Sequence, residues 1–281
     1  MKVVKSIADL HRELDAFSSG HIGLVPTMGC LHRGHMSLVE AAGKENDATV
    51  VSIFVNPTQF GPGEDLERYP RDLDRDCRML REAGVELVFA PAPEEMYPPG
   101  FYTRIDQEVL GAGLCGASRP GHFSGVLTVV AKLLGICRPD RVYFGIKDAQ
   151  QAVMVTRMVR DLNMHVKVRV MPIIRDADGL ALSSRNRYLS HDDRLLALAL
   201  PGALDAARRK IEMGEKSSRV LVREIRDHIV QTPGVELEYV EIVNLDDMQP
   251  IDRVTSTGTL VAAAIRVGGT RLIDNFIVGE I

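Results

Sequence analysis

One seven-residue segment, Thr49-Val-Val-Ser-Ile-Phe-Val55, constrains the fold of this chain more than any other. Its β-branched and aromatic side chains run almost unbroken. That marks a strand covered on both faces, because a strand with one wet face alternates apolar and polar residues. The flanking sequence repeats the theme. Residues 22–26 read as a short strand, followed by a Gly-punctuated loop and a helix from about His35 to Lys44. A polar Pro/Gly-rich loop over 56–70 precedes a helix over 72–83, where Leu73, Cys77 and Leu80 fall at helical spacing. Residues 85–90 and 141–144 are further strands, 147–162 a helix and 166–174 a last strand. Strand–helix alternation at this spacing specifies an α/β fold, a Rossmann-like parallel sheet over residues 1–175.

Beyond Arg175 the grammar changes. A turn cluster at 176–179 is followed by Ser190 with Asp193 three residues on, a cap signal for a helix running to about Met213. Ser218 opens a second helix, and strand-like runs at 236–243, 259–267 and 272–278 close the chain. Helices followed by strands indicate a smaller α+β domain, residues 176–281, expected to act as a lid hinged near residue 175 with the nucleotide site between the two domains.

Composition narrows the function. The net charge is −4, with 21 Lys+Arg against 21 Asp+Glu in residues 1–175 and 13 against 17 in 176–281. A neutral larger domain and an acidic smaller one argue against a nucleic-acid binder, whose phosphate contacts demand a basic surface. No uncharged apolar stretch reaches the ~18 residues of a membrane span; segments such as 125–131 and 258–265 are short enough to be buried strands or helices. The first 17 residues lack a signal-peptide core, so a cytoplasmic protein is expected. Cys30, Cys77, Cys115 and Cys137 form no CxxC pair, and both disulfide and zinc-ribbon frameworks fail on spacing.

Three blocks carry possible chemistry, and a fourth pattern is a decoy. Gly111-Ala-Gly-Leu-Cys-Gly116 matches GxGxxG, but Arg119-Pro-Gly follows at once, so the segment reads as a mobile loop rather than a dinucleotide site. Val25-Pro-Thr-Met-Gly-Cys-Leu-His-Arg-Gly-His35 lies where the first strand feeds the first helix. Backbone N–H groups and the helix dipole favour an anion there, and two imidazoles add donors. A structural histidine pair and a metal-binding i,i+3 pair are the alternatives. Leu182-Ser-Ser-Arg-Asn186 offers two hydroxyls and a guanidinium to a polyphosphate, or is a capped turn between domains. Gly145-Ile-Lys-Asp148 places Lys147 near a helix N-terminus, against the dipole, which suits an adjacent anion; a solvated surface lysine is the plainer reading.

Together these blocks make the chain resemble the pantoate–β-alanine ligase family. His32-Arg-Gly-His35 is similar to the HIGH signature of the class I nucleotidyltransferase superfamily, and Ser183-Ser-Arg185 to its second, KMSKS-type loop. Phe54-Val-Asn-Pro-Thr-Gln-Phe60, Tyr69-Pro-Arg71, Arg119-Pro-Gly-His-Phe123 and Lys147-Asp-Ala-Gln-Gln151 resemble segments specific to the ligase. The resemblance implies a homodimeric, ATP-dependent enzyme that joins pantoate to β-alanine through pantoyl adenylate, releasing pyrophosphate and AMP. It implies catalytic roles for His35, His32, Lys147, Ser183, Ser184 and Arg185. It implies ATP binding by Met28, Gly29, Cys30, Leu31, Arg33, Gly34, Gly145, Ile146, Asp148, Ile174 and Leu182 besides, and pantoate binding by Gln59 and Gln151. Phe54 or Phe60 would pack against the gem-dimethyl group, and Mg2+ would accompany ATP with no protein ligand assigned. The chain departs from the family pattern in three places: Ile146 replaces the usual Glu, Leu182 a common Met, and the pair Arg75-Asp76 a pair of adjacent acids. The alternatives are a HIGH-motif enzyme adenylating a small phosphate ester and a non-catalytic ATP-binding regulator. An aminoacyl-tRNA synthetase is disfavoured by the acidic C-terminal domain.

Overall fold

The computed structural model describes residues 1–17 and 19–279. The chain divides into two compact units: the first comprises 1–107, 119–146 and 154–172, the second 108–118, 147–153 and 173–281.

The first unit is built on six parallel strands, β1 (Lys2–Val4), β2 (Ile22–Thr27), β3 (Ala48–Ile53), β4 (Leu87–Phe89), β5 (Arg141–Gly145) and β6 (Lys167–Met171), in the order β1-β4-β3-β2-β5-β6. The central strands are apolar on both faces for the reason the sequence suggests. Val25, Val51, Val88 and Tyr143 point one way into a core with Leu31, Leu38, Val39 and Leu80. Leu24, Val50, Leu87 and Val142 are in register with one another, point the other way and are just as buried. Four helices of this part of the chain are α1 (Ile7–Leu14), α2 (Arg33–Glu45), α3 (Leu73–Glu82) and the single turn α4 (Pro93–Met96). Next come α5 (Leu114–Ser118), α6 (His122–Cys137) and α7 (Ala149–Asp161).

Helix α6 is the element that periodicity hides. Eleven of its sixteen residues are buried, so no polar face marks it as helical, and its β-branched residues suit a strand equally well. Strand order reverses between β2 and β5, which makes the carboxyl ends of these two neighbours the switch point where open α/β sheets bind ligands. Thr27 runs from one into Met28–His35, and Gly145 from the other into Lys147.

In the second unit, α8 (His191–Ala197), α9 (Ala199–Glu212) and α10 (Ser218–Val230) pack on an antiparallel sheet of β7 (Val235–Asn244), β8 (Thr259–Val267) and β9 (Thr270–Val278). Ser190 and Asp193 form the expected capping box, but the helix they open ends at Ala197 rather than near Met213. Pro201 explains the break, since it has no N–H to give to the carbonyl four residues back. Ser218 is the first residue of α10, as expected, and Ser217 before it is the cap.

The GxGxxG segment is a packed element, not a mobile loop. Residues 114–118 form α5, Leu114 and Cys115 are buried, and a Cβ on Gly116 would lie 1.9 Å from the Gly111 carbonyl oxygen. Gly116 there serves a backbone-to-backbone contact with Gly111. Among the described residues no helix is long and apolar enough to cross a membrane.

Candidate active site

The loop after β2 is shaped by two consecutive left-handed residues, Gly29 (φ +81°) and Cys30 (φ +51°). Thr27 starts the turn, accepting the Gly29 N–H at 3.1 Å while its hydroxyl donates to the Ser52 carbonyl at 2.8 Å. The chain then enters α2 with His32 itself as N-cap and His35 as its third residue. The Gly34 N–H donates to His32 Nδ1 at 3.2 Å, and the His32 N–H approaches His35 Nδ1 at 3.4 Å, a reciprocal box made of two imidazoles. Their rings lie 4.0 Å apart between centroids, tilted by 33°. With each Nδ1 accepting from backbone, the neutral rings carry their proton on Nε2. The pair therefore has a structural duty and a fixed tautomer at a helix N-terminus, where the dipole favours an anion. The histidines are thus a cap as well as candidate donors. Met28, His32, Gly34 and His35 are half-buried, Cys30 and Leu31 buried, Arg33 exposed.

Sequence reasoning missed what holds this loop from below. Asp76, fully buried in the first turn of α3, accepts the Cys30 N–H at 2.7 Å and the Leu31 N–H at 2.8 Å, one on each carboxylate oxygen. Burial pushes its pKa above the ordinary 3.8, against the pull of those two amides and of Arg75. The only hint in the sequence is an acid four residues after a capping Asp72, which a solvated helix face explains as readily.

Gln59 ends a tight turn, Pro57–Gln59, that is fixed from three sides. Buried Asn56 donates to Gln59 Oε1 at 3.0 Å and to the Gly125 carbonyl at 3.1 Å, and it accepts from the Tyr97 hydroxyl at 2.8 Å. His122 Nδ1 donates to the Gln59 carbonyl at 2.8 Å, and Arg119 Nη2 reaches the same oxygen at 3.3 Å. Glu64 completes the group, paired twice to Arg119 at 2.7 and 2.6 Å. Burial alone raises the Glu64 pKa, but the Arg119 guanidinium outweighs it and holds the carboxyl below its ordinary 4.5. Gly125 lets α6 touch the turn. The Gln59 side-chain amide, so oriented, donates to Met28 Sδ at 3.1 Å. Gln59 and Met28 are thereby brought together, a placement the motifs alone do not show. Phe54 is buried near Tyr97, and half-buried Phe60 lies edge-on to Tyr69.

In the second unit, Lys147 lies in a 3₁₀ turn, Ile146–Asp148, just before α7, and its carbonyl accepts from Asn275 Nδ2 at 2.8 Å. Two adjacent glutamines divide their labour. Gln150 is buried and spans Leu110, Gly113 and Cys115 of the glycine-rich segment, with bonds of 2.8, 3.0 and 3.0 Å. Gln151 is half-exposed. Ile146, which belongs to the first unit, is buried, as its apolar side chain requires. Ser183 caps the 3₁₀ segment Ser184–Tyr188, its hydroxyl accepting the Arg185 N–H at 3.3 Å; Ser184 is buried, Leu182 and Arg185 half-buried. Ser183 is thus the cap of a turn that lies within the second unit. The turn grows from a narrow hairpin in which the Leu182 N–H donates to the Ile174 carbonyl at 3.0 Å, anchored by Arg175 to buried Asp274 at 2.6 and 2.9 Å.

A family model described as pantoate-beta-alanine ligase matches residues 2–277. The chain belongs to the pantoate–β-alanine ligase family. The family's activity, joining pantoate to β-alanine, is the activity of this chain. A pantothenate synthetase of Moorella thermoacetica is 53% identical over 256 residues, covering 91% of this chain and 90% of that protein. One of Thermosipho africanus is 51% identical over 281 residues, covering 99% and 100%. Among solved structures, pantothenate synthetase of Thermus thermophilus superimposes with a TM-score of 0.94 at 47% identity, covering all of both chains. The pantoate-beta-alanine ligase of Francisella tularensis, complexed with beta-gamma ATP and beta-alanine, does so with 0.81 at 35% identity, covering 99% and 97%. These neighbours share the ligase fold of a parallel sheet joined to a small antiparallel one. Neither the phosphate-ester nucleotidyltransferase nor the ATP-binding regulator finds support among them.

Proposed function

We propose that this ligase works by adenylation, with pantoate, ATP and β-alanine as its substrates. The pantoate carboxylate attacks the α-phosphorus of ATP and pyrophosphate leaves. The β-alanine amine then attacks the pantoyl carbonyl, and AMP leaves as the amide forms. The observation that carries this reading is the histidine-capped loop at the switch point, where a helix N-terminus and two imidazoles offer donors to an anion. As phosphorus becomes five-coordinate, negative charge grows on its equatorial oxygens, and donors already in place there lower the barrier without reorganising.

His32, His35 and Lys147 are assigned to that charge, and Ser183, Ser184 and Arg185 to the β- and γ-phosphates and departing pyrophosphate. Met28, Gly29, Cys30, Leu31, Arg33, Gly34, Gly145, Ile146, Asp148 and Leu182 are assigned to the nucleotide, with Ile174 at the adenine. Gln59 and Gln151 are assigned to pantoate, with Phe54 or Phe60 at its methyl groups. Neutral amides hold a carboxylate without the tight ion pair that would blunt its nucleophilicity. Mg2+ is assigned to ATP's own phosphates, as the hard counter-ion they favour. A cytoplasmic homodimer is the proposed working form.

The test is AMP release from ATP and pantoate with and without β-alanine. AMP that appears only with β-alanine is expected. Its absence, or its indifference to β-alanine, overturns the assignment.

A further inference from the structure

The neighbours Arg75 and Asp76 have no part in the roles above, yet they are where α3 meets the nucleotide loop. Asp76 takes the N–H groups of Cys30 and Leu31, and Arg75 Nη1 donates to the Leu31 carbonyl at 3.0 Å. Leu31 is therefore gripped at its N–H by one residue and at its C=O by the next. Leu31 immediately precedes the N-cap His32, and Cys30 before it is a non-glycine residue at φ +51°. A side chain in that region costs about 1–2 kcal/mol, which a loop sheds by relaxing unless its amides are held. Gly29 shows how close the carboxylate comes: a Cβ there would sit 3.1 Å from Asp76 Oδ2.

We propose that Arg75 and Asp76 form a two-residue clamp that positions the nucleotide loop, and with it His32 and His35, for ATP. Both are positioning residues. The inference rests on assigning that loop to ATP, and it gives Arg75, the departure from two adjacent acids, a task of its own in this chain. Arg75 is half-exposed, so its replacement leaves the core intact. Asn at position 76 turns an N–H2 group toward one of two N–H donors, and so fails where a carboxylate succeeds.

The experiment compares Arg75→Met, Arg75→Lys and Asp76→Asn with the wild type. It reads the dissociation constant of a non-hydrolysable ATP analogue, kcat and KM for each substrate, and Tm. Arg75→Met is expected to weaken analogue binding and kcat/KM for ATP by on the order of 10-fold, the worth of one hydrogen bond from a charged donor. The KM for β-alanine should stay unchanged, and Arg75→Lys should recover part of the loss. Asp76→Asn should lose at least as much. Should it fail to fold, the two Arg75 variants decide. Wild-type ATP binding and kinetics in Arg75→Met, or equal losses in Met and Lys spread over all three substrates, would overturn the clamp. Missing β-alanine-dependent AMP in the wild type would instead overturn the ligase reading, and the analogue binding still judges the clamp.

Discussion

Gly125→Ala separates positioning from stability more sharply than any truncation of the site. Gly125 lies in the first turn of α6, against the Pro57–Gln59 turn. A Cβ there would stand 2.3 Å from the Thr58 carbonyl oxygen, 2.5 Å from its carbon and 2.7 Å from the Gln59 nitrogen. Ordinary contact begins near 3.4 Å, so the turn and helix must part by about 1 Å. Overpacking of this kind costs roughly 1–3 kcal/mol, while replacing a helical Gly with Ala returns about 1 kcal/mol. The net loss of stability is then about 0–2 kcal/mol, a fall in Tm of no more than roughly 8 °C. The kinetic loss should be far larger. The carbonyl held by His122 and Arg119, and the amide held by Asn56, both belong to Gln59, the residue proposed to hold pantoate, and a 1 Å misplacement of a group in that role can cost about 100-fold. Steady-state kinetics with pantoate varied, beside a thermal melt, give both numbers. A variant with wild-type pantoate kinetics would refute the argument that the α6–turn contact sets the position of Gln59.

Other outcomes follow from the same geometry. Gln59→Ala and Gln151→Ala should each strongly impair pyrophosphate release from ATP and pantoate, and wild-type pantoate kinetics in both would remove them from the pantoate site. Arg175→Met leaves the buried Asp274 carboxylate without its bidentate partner and should cost on the order of 3 kcal/mol in a denaturant titration; an unchanged midpoint would show that solvent takes over the pairing. Glu64 has a folded pKa below its ordinary 4.5, so its pairing with Arg119 stabilises fully above pH 4.5 and is lost as pH falls through the depressed folded value. Glu64→Gln should therefore lower Tm at neutral pH and flatten the decline of Tm below pH 4.5, and parallel Tm–pH curves for the two proteins would contradict this.

The sequence by itself determined the features whose causes act within a few residues. Unbroken apolar runs specified a sheet covered on both faces, and alternation with helices made it parallel. His32 and His35 were legible at a helix start because capping reaches only three residues, and Ser183 and Ser190 for the same reason. Where local signals were silent or double, the reading stopped short. Helix α6 lacks a polar face because it is buried almost all round, and Pro201 divides a helix whose apolar spacing looks continuous.

Tertiary structure decided the rest. The grip of Asp76 on Cys30 and Leu31 spans 46 and 45 residues, and the bond from His122 to Gln59 spans 63. It also decided that Gln150 is a brace while Gln151 stays half-exposed, and that the glycines at 111 and 116 serve a backbone approach too close to admit a Cβ at 116. Helical spacing makes such neighbours look equivalent. Only the closing of distant chain segments into a close-packed interior, where a buried carboxylate or amide must find its partners, tells them apart.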